Sequence, residues 1–482
     1  MLEIPSLLSD RSSPKYIYIR QPVKNVKAYK DDMLSAMGSF MEGLKDSADV
    51  NDVAKHFNST VENIINLHAP MKKKLITLGR PPLSPETRAL MSERDKMKRF
   101  TSKATSPSER KILHEKFKRL RNRATRSMRD DKKNNIFKQL QEGRNPWKII
   151  QDEEKKIDNS IPLYDENNKE LSDSEKANKM NHFFADKVRK LREKIDKSLV
   201  SCPFEKLKKK VHQTGRRFSF QNTDNYTVRK ILKNMKKSNS AACDGISTNV
   251  RKPVIEEISP FLTIVINKSL EEGTFPDVYK KAKITCLYKG KGKKTEMSSY
   301  RPISNLPLFG KVLETVVDHQ VRQYFEECKF LGHNQHGFRK GRSTNSALLS
   351  ACTRWTEDKH KGYFQGCLLF DLSAAYDVLD KDIFIQKAKL YGLDETATAW
   401  FSSYLTGRIQ VVQIGTGISV EITILFGTPQ GSCLSCLIFI IFIADCEDWI
   451  VTGKLQCYAD DSFLTVKARS IYKYVTLTAS SA

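Results

Sequence analysis

The tetrapeptide Tyr-Ala-Asp-Asp at residues 458–461 lies inside a run of alternating apolar residues. Leu455 and Cys457 precede it, and Phe463 and Val466 follow it. An alternation with a period of two, broken by a short polar segment, predicts two β-strands joined by a tight hairpin over residues 455–466. Two adjacent carboxylates at a hairpin tip offer the oxygen ligands that a hard divalent cation such as Mg²⁺ prefers. The sequence therefore predicts a hairpin whose tip is a candidate metal site.

The chain carries a large positive charge. Its 82 Lys and Arg residues exceed its 56 Asp and Glu residues by 26, and the sequence pI is about 9.5. Such an excess favours a polyanionic partner, above all nucleic acid, over general solubility or an anionic membrane surface. The longest apolar stretch, residues 436–444, is about half of a membrane span. We therefore predict a nucleic-acid partner and no membrane insertion.

Cysteine usage indicates the compartment. All ten cysteines lie at or after Cys202 without a regular framework, and the chain starts without the apolar segment of a secretory signal. These features predict a reducing intracellular environment without disulfides. With 482 residues, the chain is long enough for two to four domains.

The first half of the chain reads as a basic, mainly helical linker over residues 21–224. Between Glu109 and Lys133 it holds 11 Lys and Arg against 4 Asp and Glu. Apolar residues recur there every three or four positions, which predicts an amphipathic helix with one basic face. Such a face is either a solvated helix surface or a contact to an RNA or DNA backbone, and its arginines favour the second interpretation.

From about residue 225 onward, the pattern is that of a mixed α+β domain. Apolar periodicity predicts a helix over Leu308–Phe325, a strand over Arg408–Ile414 and a buried strand over Gly366–Asp371 that leads into a helix. Asp371 ends that strand, about ninety residues before the carboxylate pair. If the hairpin packs antiparallel beside this strand, Asp371, Asp460 and Asp461 converge.

Several motifs in a fixed order carry a resemblance to a known family. They are SYRPISNL at 299–306, QHGFRKGRST at 335–344, DLSAAYD at 371–377, WFSSYL at 400–405, GTPQGS at 427–432 and YADD at 458–461. In this order and spacing, the chain resembles the reverse transcriptase of non-LTR (LINE-type) retrotransposons. The resemblance implies an RNA-directed DNA polymerase with a right-hand α+β fold. It also implies fingers with an N-terminal extension over residues 225–365 and a palm over 366–482.

The resemblance implies the reaction and its metals. Asp371, Asp460 and Asp461 would hold two Mg²⁺ ions, or Mn²⁺ in their place, for attack of a DNA primer 3′-hydroxyl on a dNTP. The template would be RNA.

The resemblance also implies binding residues. Lys289 or Lys291 and Arg301 would neutralise the triphosphate, with Gly290 and Gly292 allowing close backbone approach. The other implied nucleotide-pocket residues are Tyr376, which would exclude a ribose 2′-hydroxyl, Gln430 and Gly431. The implied template contacts are Phe338, Arg339 and Arg342.

The two ends of the chain differ from a full-length element of this family. Residues 1–20 resemble the end of an endonuclease domain, with Arg11 in place of the catalytic histidine. After the hairpin only 21 residues follow, so we expect the palm to be truncated and the thumb to be missing. Two alternatives to an active polymerase follow, namely a catalytically inactive nucleic-acid-binding remnant and a truncated pseudogene product. For an active element, we expect a nuclear location or a cytoplasmic ribonucleoprotein.

Overall fold

The computed structural model of the chain describes residues 16–44, 47–75, 83–104, 106–147, 161–195, 204–212 and 215–469. Helices and small separate sheets share the chain, so the predicted α+β class is confirmed. The endonuclease-like motif at residues 8–11 lies outside the described residues. The chain divides into two compact units, Met1–Tyr18 with Lys73–Ile161 and Ile19–Lys72 with Pro162–Ala482. The finer domain boundaries expected at residues 224 and 365 stay predictions.

The described helices of eight or more residues are, in chain order, α1 (Val26–Glu42), α2 (Val50–His68), α3 (Pro85–Lys103), α4 (Pro107–Gln141), α5 (Asp173–Glu193), α6 (Glu205–His212), α7 (Asn225–Asn234), α8 (Ile255–Glu271), α9 (Leu308–Glu327), α10 (Thr344–His360), α11 (Lys381–Leu390), α12 (Glu395–Leu405) and α13 (Cys433–Phe442). The described strands are β1 (Tyr16–Arg20), β2 (Met71–Leu75), β3 (Lys281–Tyr288), β4 (Tyr300–Asn305), β5 (Phe364–Asp371), β6 (Arg408–Ile414), β7 (Gly417–Ile418), β8 (Ile422–Ile424), β9 (Lys454–Tyr458) and β10 (Asp461–Ala468).

The smaller unit is built on the helix pair α3 and α4, which pack against each other. Ser84 caps α3 by accepting a hydrogen bond from the Thr87 backbone N–H, as a serine before a helix commonly does. Leu120 and Ala124 form the buried stripe of α4. The basic helix predicted over residues 109–133 is therefore confirmed, and α4 extends beyond the predicted range at both ends.

Two sheets organise the larger unit. One has the order β4-β3-β6-β7, with β8 also paired to β6, and the other has the order β5-β10-β9. β9 and β10 are antiparallel partners joined by the two residues Ala459 and Asp460, so the predicted hairpin is confirmed. β10 pairs with β5 along its whole length, also antiparallel.

An aromatic and aliphatic core lies among the helices of the larger unit. Trp400 and Tyr404 of α12 are fully buried, and their rings stack at a centroid distance of 5.5 Å. Phe275 meets both rings edge to face, an arrangement that aromatic pairs favour. α9 and α13 pack against each other, and most of their apolar side chains are buried. This core fixes the loops that precede α13 and follow β5.

Two local predictions around Asp371 are wrong. The strand that ends there is not buried, because β5 is an edge strand, and Leu369 is 83% exposed. No helix follows it directly either, since residues 373–377 form turns and Ala374 has a φ of +55° in the left-handed region. An apolar run shows that a strand is β-prone, but it does not show whether a neighbour covers both faces.

Among the described helices, none combines the length and the apolar composition that a membrane crossing requires.

Candidate active site

Strand pairing places two of the predicted carboxylates opposite each other. Asp371 is the last residue of β5 and Asp461 the first of β10, and their Cα atoms are register partners. Directly opposed residues of an antiparallel pair have Cβ atoms about 5 Å apart and share one face of the sheet. Asp460 immediately precedes Asp461 in the hairpin turn. The backbone thus gathers all three aspartates at one end of the small sheet, where β5 ends and β10 begins.

The chemistry of these donors suits a hard divalent cation, because all three are carboxylates. As the side chains stand, no three His, Cys, Asp or Glu residues within the described ranges are close enough together to hold a metal ion. Carboxylates at this spacing repel one another, and a bound cation removes that repulsion. The backbone register therefore suits a metal, whereas the side-chain rotamers do not form a closed ligand set.

Tyr376 lies next to the aspartates in the turn that follows β5. Its ring contacts Phe439 of α13 at a centroid distance of 4.7 Å and meets Phe338 edge to face at 6.5 Å. The Tyr376 hydroxyl is buried and has no hydrogen-bond partner among the described residues. Burial raises the pKa of this hydroxyl, and the nearby charges of Asp460 and Asp461 raise it further. The aromatic ring thus packs against Phe439 and Phe338, and its hydroxyl lies within electrostatic reach of Asp460 and Asp461.

The segment 427–432 is anchored to this turn. Gln430 Nε2 donates to Asp377 Oδ1 at 2.7 Å, and the Thr428 backbone N–H donates to the Tyr376 carbonyl at 2.9 Å. On its other side the Gln430 carbonyl accepts from the Ser304 N–H of β4 at 2.7 Å. Burial raises the pKa of Asp377, and the hydrogen bond from Gln430 partly offsets that rise.

Gly431 has a backbone conformation that excludes other residues. Its φ is +123°, and a Cβ added there would lie 2.5 Å from the Ser304 carbonyl oxygen. Only a residue without a side chain permits this approach of segment 427–432 to β4.

Ser432 fixes the far end of the same segment. It caps α13 by accepting from the Leu434 N–H at 3.1 Å. Its own hydroxyl donates to Glu314 Oε2 of α9 at 2.6 Å, and Tyr404 donates to Ser432 at 2.9 Å. Glu314 is buried, although no sequence motif indicated a role for it. A lone glutamate inside a helical pattern gives no sign that it faces the core.

The predicted triphosphate-binding residues lie on β4 and on the loop after β3. Lys289 Nζ donates to the Ser298 carbonyl at 2.7 Å, and Arg301 is exposed on β4. Burial lowers the pKa of Lys289, and the charges of Lys187, Arg301 and Lys291 lower it further. These cations are therefore close enough to repel one another, as expected for a site that attracts a polyanion.

Lys187 is a cation that the sequence analysis missed. It projects from α5 and lines a cavity of about 220 Å³ together with Tyr300, Asp377 and Gln430. It lies 102 residues before Lys289 in the sequence, outside every motif that we singled out. No spacing rule could have linked these two residues.

The predicted template loop packs against the same site. Phe338 is 43% exposed with a φ of +56°, and its ring faces Tyr376. Arg339 is instead engaged inside the loop, where it forms an ion pair with Glu326 at 2.5 Å and donates to the Gly332 carbonyl. Arg342 is partly exposed and donates to a backbone carbonyl of the same loop.

Comparison with known proteins agrees with this geometry. Residues 291–478 match the family described as reverse transcriptase (RNA-dependent DNA polymerase). The chain is 29% identical over 253 residues to the putative 115 kDa protein in type-1 retrotransposable element R1DM of Drosophila melanogaster, covering 51% of this chain and 23% of that protein. It is 28% identical over 219 residues to the RNA-directed DNA polymerase from mobile element jockey of the same fly, covering 44% and 24%.

Residues 291–478 form a reverse transcriptase domain that is similar to those of non-LTR retrotransposons. A third relative, the probable RNA-directed DNA polymerase from transposon BS of Drosophila melanogaster, is 25% identical over 269 residues, covering 52% of this chain and 29% of that protein. The chain thus spans about a quarter of the length of these relatives. The reverse transcriptase domain includes β4, the segment 427–432 and the hairpin of β9 and β10.

Proposed function

We propose that this chain is an RNA-directed DNA polymerase that extends a DNA primer with dNTPs along an RNA template. The observation that carries the proposal is the register pairing of Asp371 with Asp461, and the turn that follows Asp371 is hydrogen-bonded to the Gln430 segment through Tyr376. Asp371, Asp460 and Asp461 would hold two Mg²⁺ ions, or Mn²⁺, which would activate the attacking hydroxyl and stabilise the pyrophosphate leaving group.

The chain's own residues account for binding and orientation of the nucleotide. Lys289, Arg301 and Lys187 attract the triphosphate. Gln430, held by Asp377, and Gly431 shape the floor of the pocket. The Tyr376 ring would exclude a ribose 2′-hydroxyl and so favour deoxynucleotides over ribonucleotides.

The template loop supplies a contact for single-stranded RNA. The exposed ring of Phe338 offers a stacking surface, and the guanidinium of Arg342 offers charge. For Arg339, its ion pair with Glu326 supports a role in fixing the loop rather than in touching the template.

The exposed basic face of α4 supplies a second nucleic-acid contact. Arg119, Arg123 and Arg126 are exposed along one side of this helix. Their guanidinium groups suit phosphates, so we propose that α4 binds an RNA or DNA backbone irrespective of sequence. An RNA template also supports an intracellular site of action, in the nucleus or in a cytoplasmic ribonucleoprotein.

Template-dependent primer extension tests the proposal. The full chain is incubated with a DNA primer annealed to an RNA template, Mg²⁺ and one labelled dNTP at a time. We expect incorporation of the nucleotide complementary to the first template base, and a matching change when that base is changed. Binding of the primer–template without incorporation would refute polymerase activity and leave a nucleic-acid-binding remnant. Insoluble or unfolded protein would favour a truncated pseudogene product.

A further inference from the structure

The hairpin turn that carries Asp460 contains a backbone conformation that needs support. Ala459 has a φ of +58°, the left-handed region that glycine and asparagine usually occupy in two-residue hairpin turns. A residue with a Cβ is strained there, and it keeps this conformation only when its surroundings hold it in place. Ala459 is also 6% exposed, so its backbone N–H and C=O need partners within the protein.

One side chain provides both partners. Gln335 Oε1 accepts a hydrogen bond from the Ala459 N–H at 3.0 Å, and Gln335 Nε2 donates to the Ala459 carbonyl at 3.3 Å. The same Oε1 accepts from the Gly337 N–H at 2.7 Å. Gln335 is buried, so water does not compete for these bonds. The carboxamide thus bonds both backbone groups of Ala459, as the backbone of a neighbouring strand would.

The backbone around Gln335 is docked onto β9. The His336 N–H donates to the Cys457 carbonyl at 2.8 Å, and the Cys457 N–H donates to the Asn334 carbonyl at 2.9 Å. A Cβ added to Gly337 would overlap the backbone nitrogen of Ala459. At Gly337, residues 334–337 therefore approach the turn too closely to leave space for a side chain.

We propose that Gln335 is a positioning residue for the catalytic hairpin. By fixing Ala459 it sets the backbone of Asp460 and Asp461 relative to Asp371 on the neighbouring strand. The inference rests on the proposed function, since these aspartates are its catalytic residues. A displacement of about 1 Å in such groups can cost about 100-fold in rate.

A matched pair of variants separates positioning from general stability. Gln335→Leu removes the carboxamide at the turn. Gln456→Leu removes another buried carboxamide, from β9, whose partners are Arg354 and the Ala347 carbonyl of α10. Both variants lose the side-chain hydrogen bonds of a buried glutamine, but only the first loses contacts to the turn.

The first measurement is amide hydrogen exchange of the segment 457–462 in protein without metal, nucleotide or nucleic acid. We expect exchange in this segment to accelerate by about tenfold or more in Gln335→Leu and by less than about twofold in Gln456→Leu. Equal protection in wild type and Gln335→Leu, or equal acceleration in both variants, would overturn the proposal.

The second measurement is primer extension at saturating dNTP. We expect Gln335→Leu to lower kcat by about tenfold to 100-fold with little change in the KM for dNTP, whereas Gln456→Leu lowers activity only through its folded fraction. A wild-type kcat in folded Gln335→Leu would overturn the positioning role.

Two further outcomes of these experiments also bear on the proposal. If Gln335→Leu does not fold, Gln335→Glu replaces it, because this variant keeps an oxygen acceptor for the Ala459 N–H and loses the donor to the Ala459 carbonyl. We then expect hydrogen exchange of the segment 457–462 to be moderately faster than in wild type. Unchanged exchange would contradict the proposal. If the wild-type chain does not polymerise, the proposed function fails, and hydrogen exchange alone decides whether Gln335 fixes the turn.

Discussion

Asp371 and Asp461 are register partners at adjoining ends of two antiparallel strands, although ninety residues separate them in the sequence. This pairing depends on the full register of β5 against β10, which runs without interruption from Asp371 to Phe364. A slip of one residue would turn one of the two carboxylates to the other face of the sheet. The geometry of the proposed active site is therefore a direct consequence of strand register.

Tyr376 is expected to select against ribonucleotides. Replacement by valine opens space where a 2′-hydroxyl would lie, so discrimination between dNTP and rNTP should fall by about tenfold to 100-fold. Replacement by phenylalanine should preserve discrimination, because the hydroxyl has no partner among the described residues. Single-nucleotide incorporation with each sugar measures the ratio of kcat/KM values. A loss of selectivity in Tyr376→Phe as large as in the valine variant would contradict this role.

Lys187 is expected to contribute to nucleotide binding. Lys187→Ala should raise the KM for dNTP by about threefold to tenfold with little change in kcat, because it removes one partly screened positive charge from the cavity. Lys190→Ala is the matched control, since Lys190 lies three residues further along α5 in the adjoining outer groove and does not line the cavity. Steady-state kinetics with varied dNTP distinguishes the two. An equal rise in KM in both variants would show that only net charge matters.

The contrast between Lys187 and the aspartates shows what could be predicted from the sequence. The hairpin, the strand of Arg408–Ile414 and the helix that begins at Leu308 follow from local periodicity and turn chemistry, and the structure confirms them. The positions of Lys187 and Glu314 depend on which face of each helix packs against a given loop. Local sequence patterns do not contain this information. The edge position of β5 was missed for the same reason.

Asp244 is expected to make stability depend on pH. Burial raises its pKa to about 6. The folded protein therefore holds this proton more tightly than the unfolded chain, so stability is highest below about pH 4, falls as the pH rises towards 6 and stays lower above it.

Asp244→Asn removes this titration and keeps an oxygen that can accept from the Ile246 N–H. The variant should flatten the decline between about pH 4 and pH 6 and gain roughly 3 kcal/mol at pH 7. Urea unfolding at several pH values measures both effects. An unchanged slope would show that another group titrates in that range.

The basic face of α4 is expected to bind nucleic acid through phosphates. Replacing Arg119, Arg123 and Arg126 together by alanine should reduce the slope of log Kd against log salt for single-stranded RNA by about two. Replacing the same three arginines by lysine keeps the positive charge and should keep the slope of log Kd against log salt. Fluorescence anisotropy at several salt concentrations measures it. An unchanged slope in the alanine variant would place the phosphate contacts elsewhere.

Primer extension by carboxylate variants tests the central claim most directly. Wild type, Asp371→Asn, Asp460→Asn and the surface control Asp382→Asn are compared on a DNA primer annealed to RNA, with Mg²⁺ and dNTPs. Wild type and Asp382→Asn should extend the primer equally, and the rates of the other two should fall by more than about 100-fold, because each would lose a proposed metal ligand. Absence of extension by folded wild-type protein, or wild-type rates in Asp371→Asn, would contradict the account.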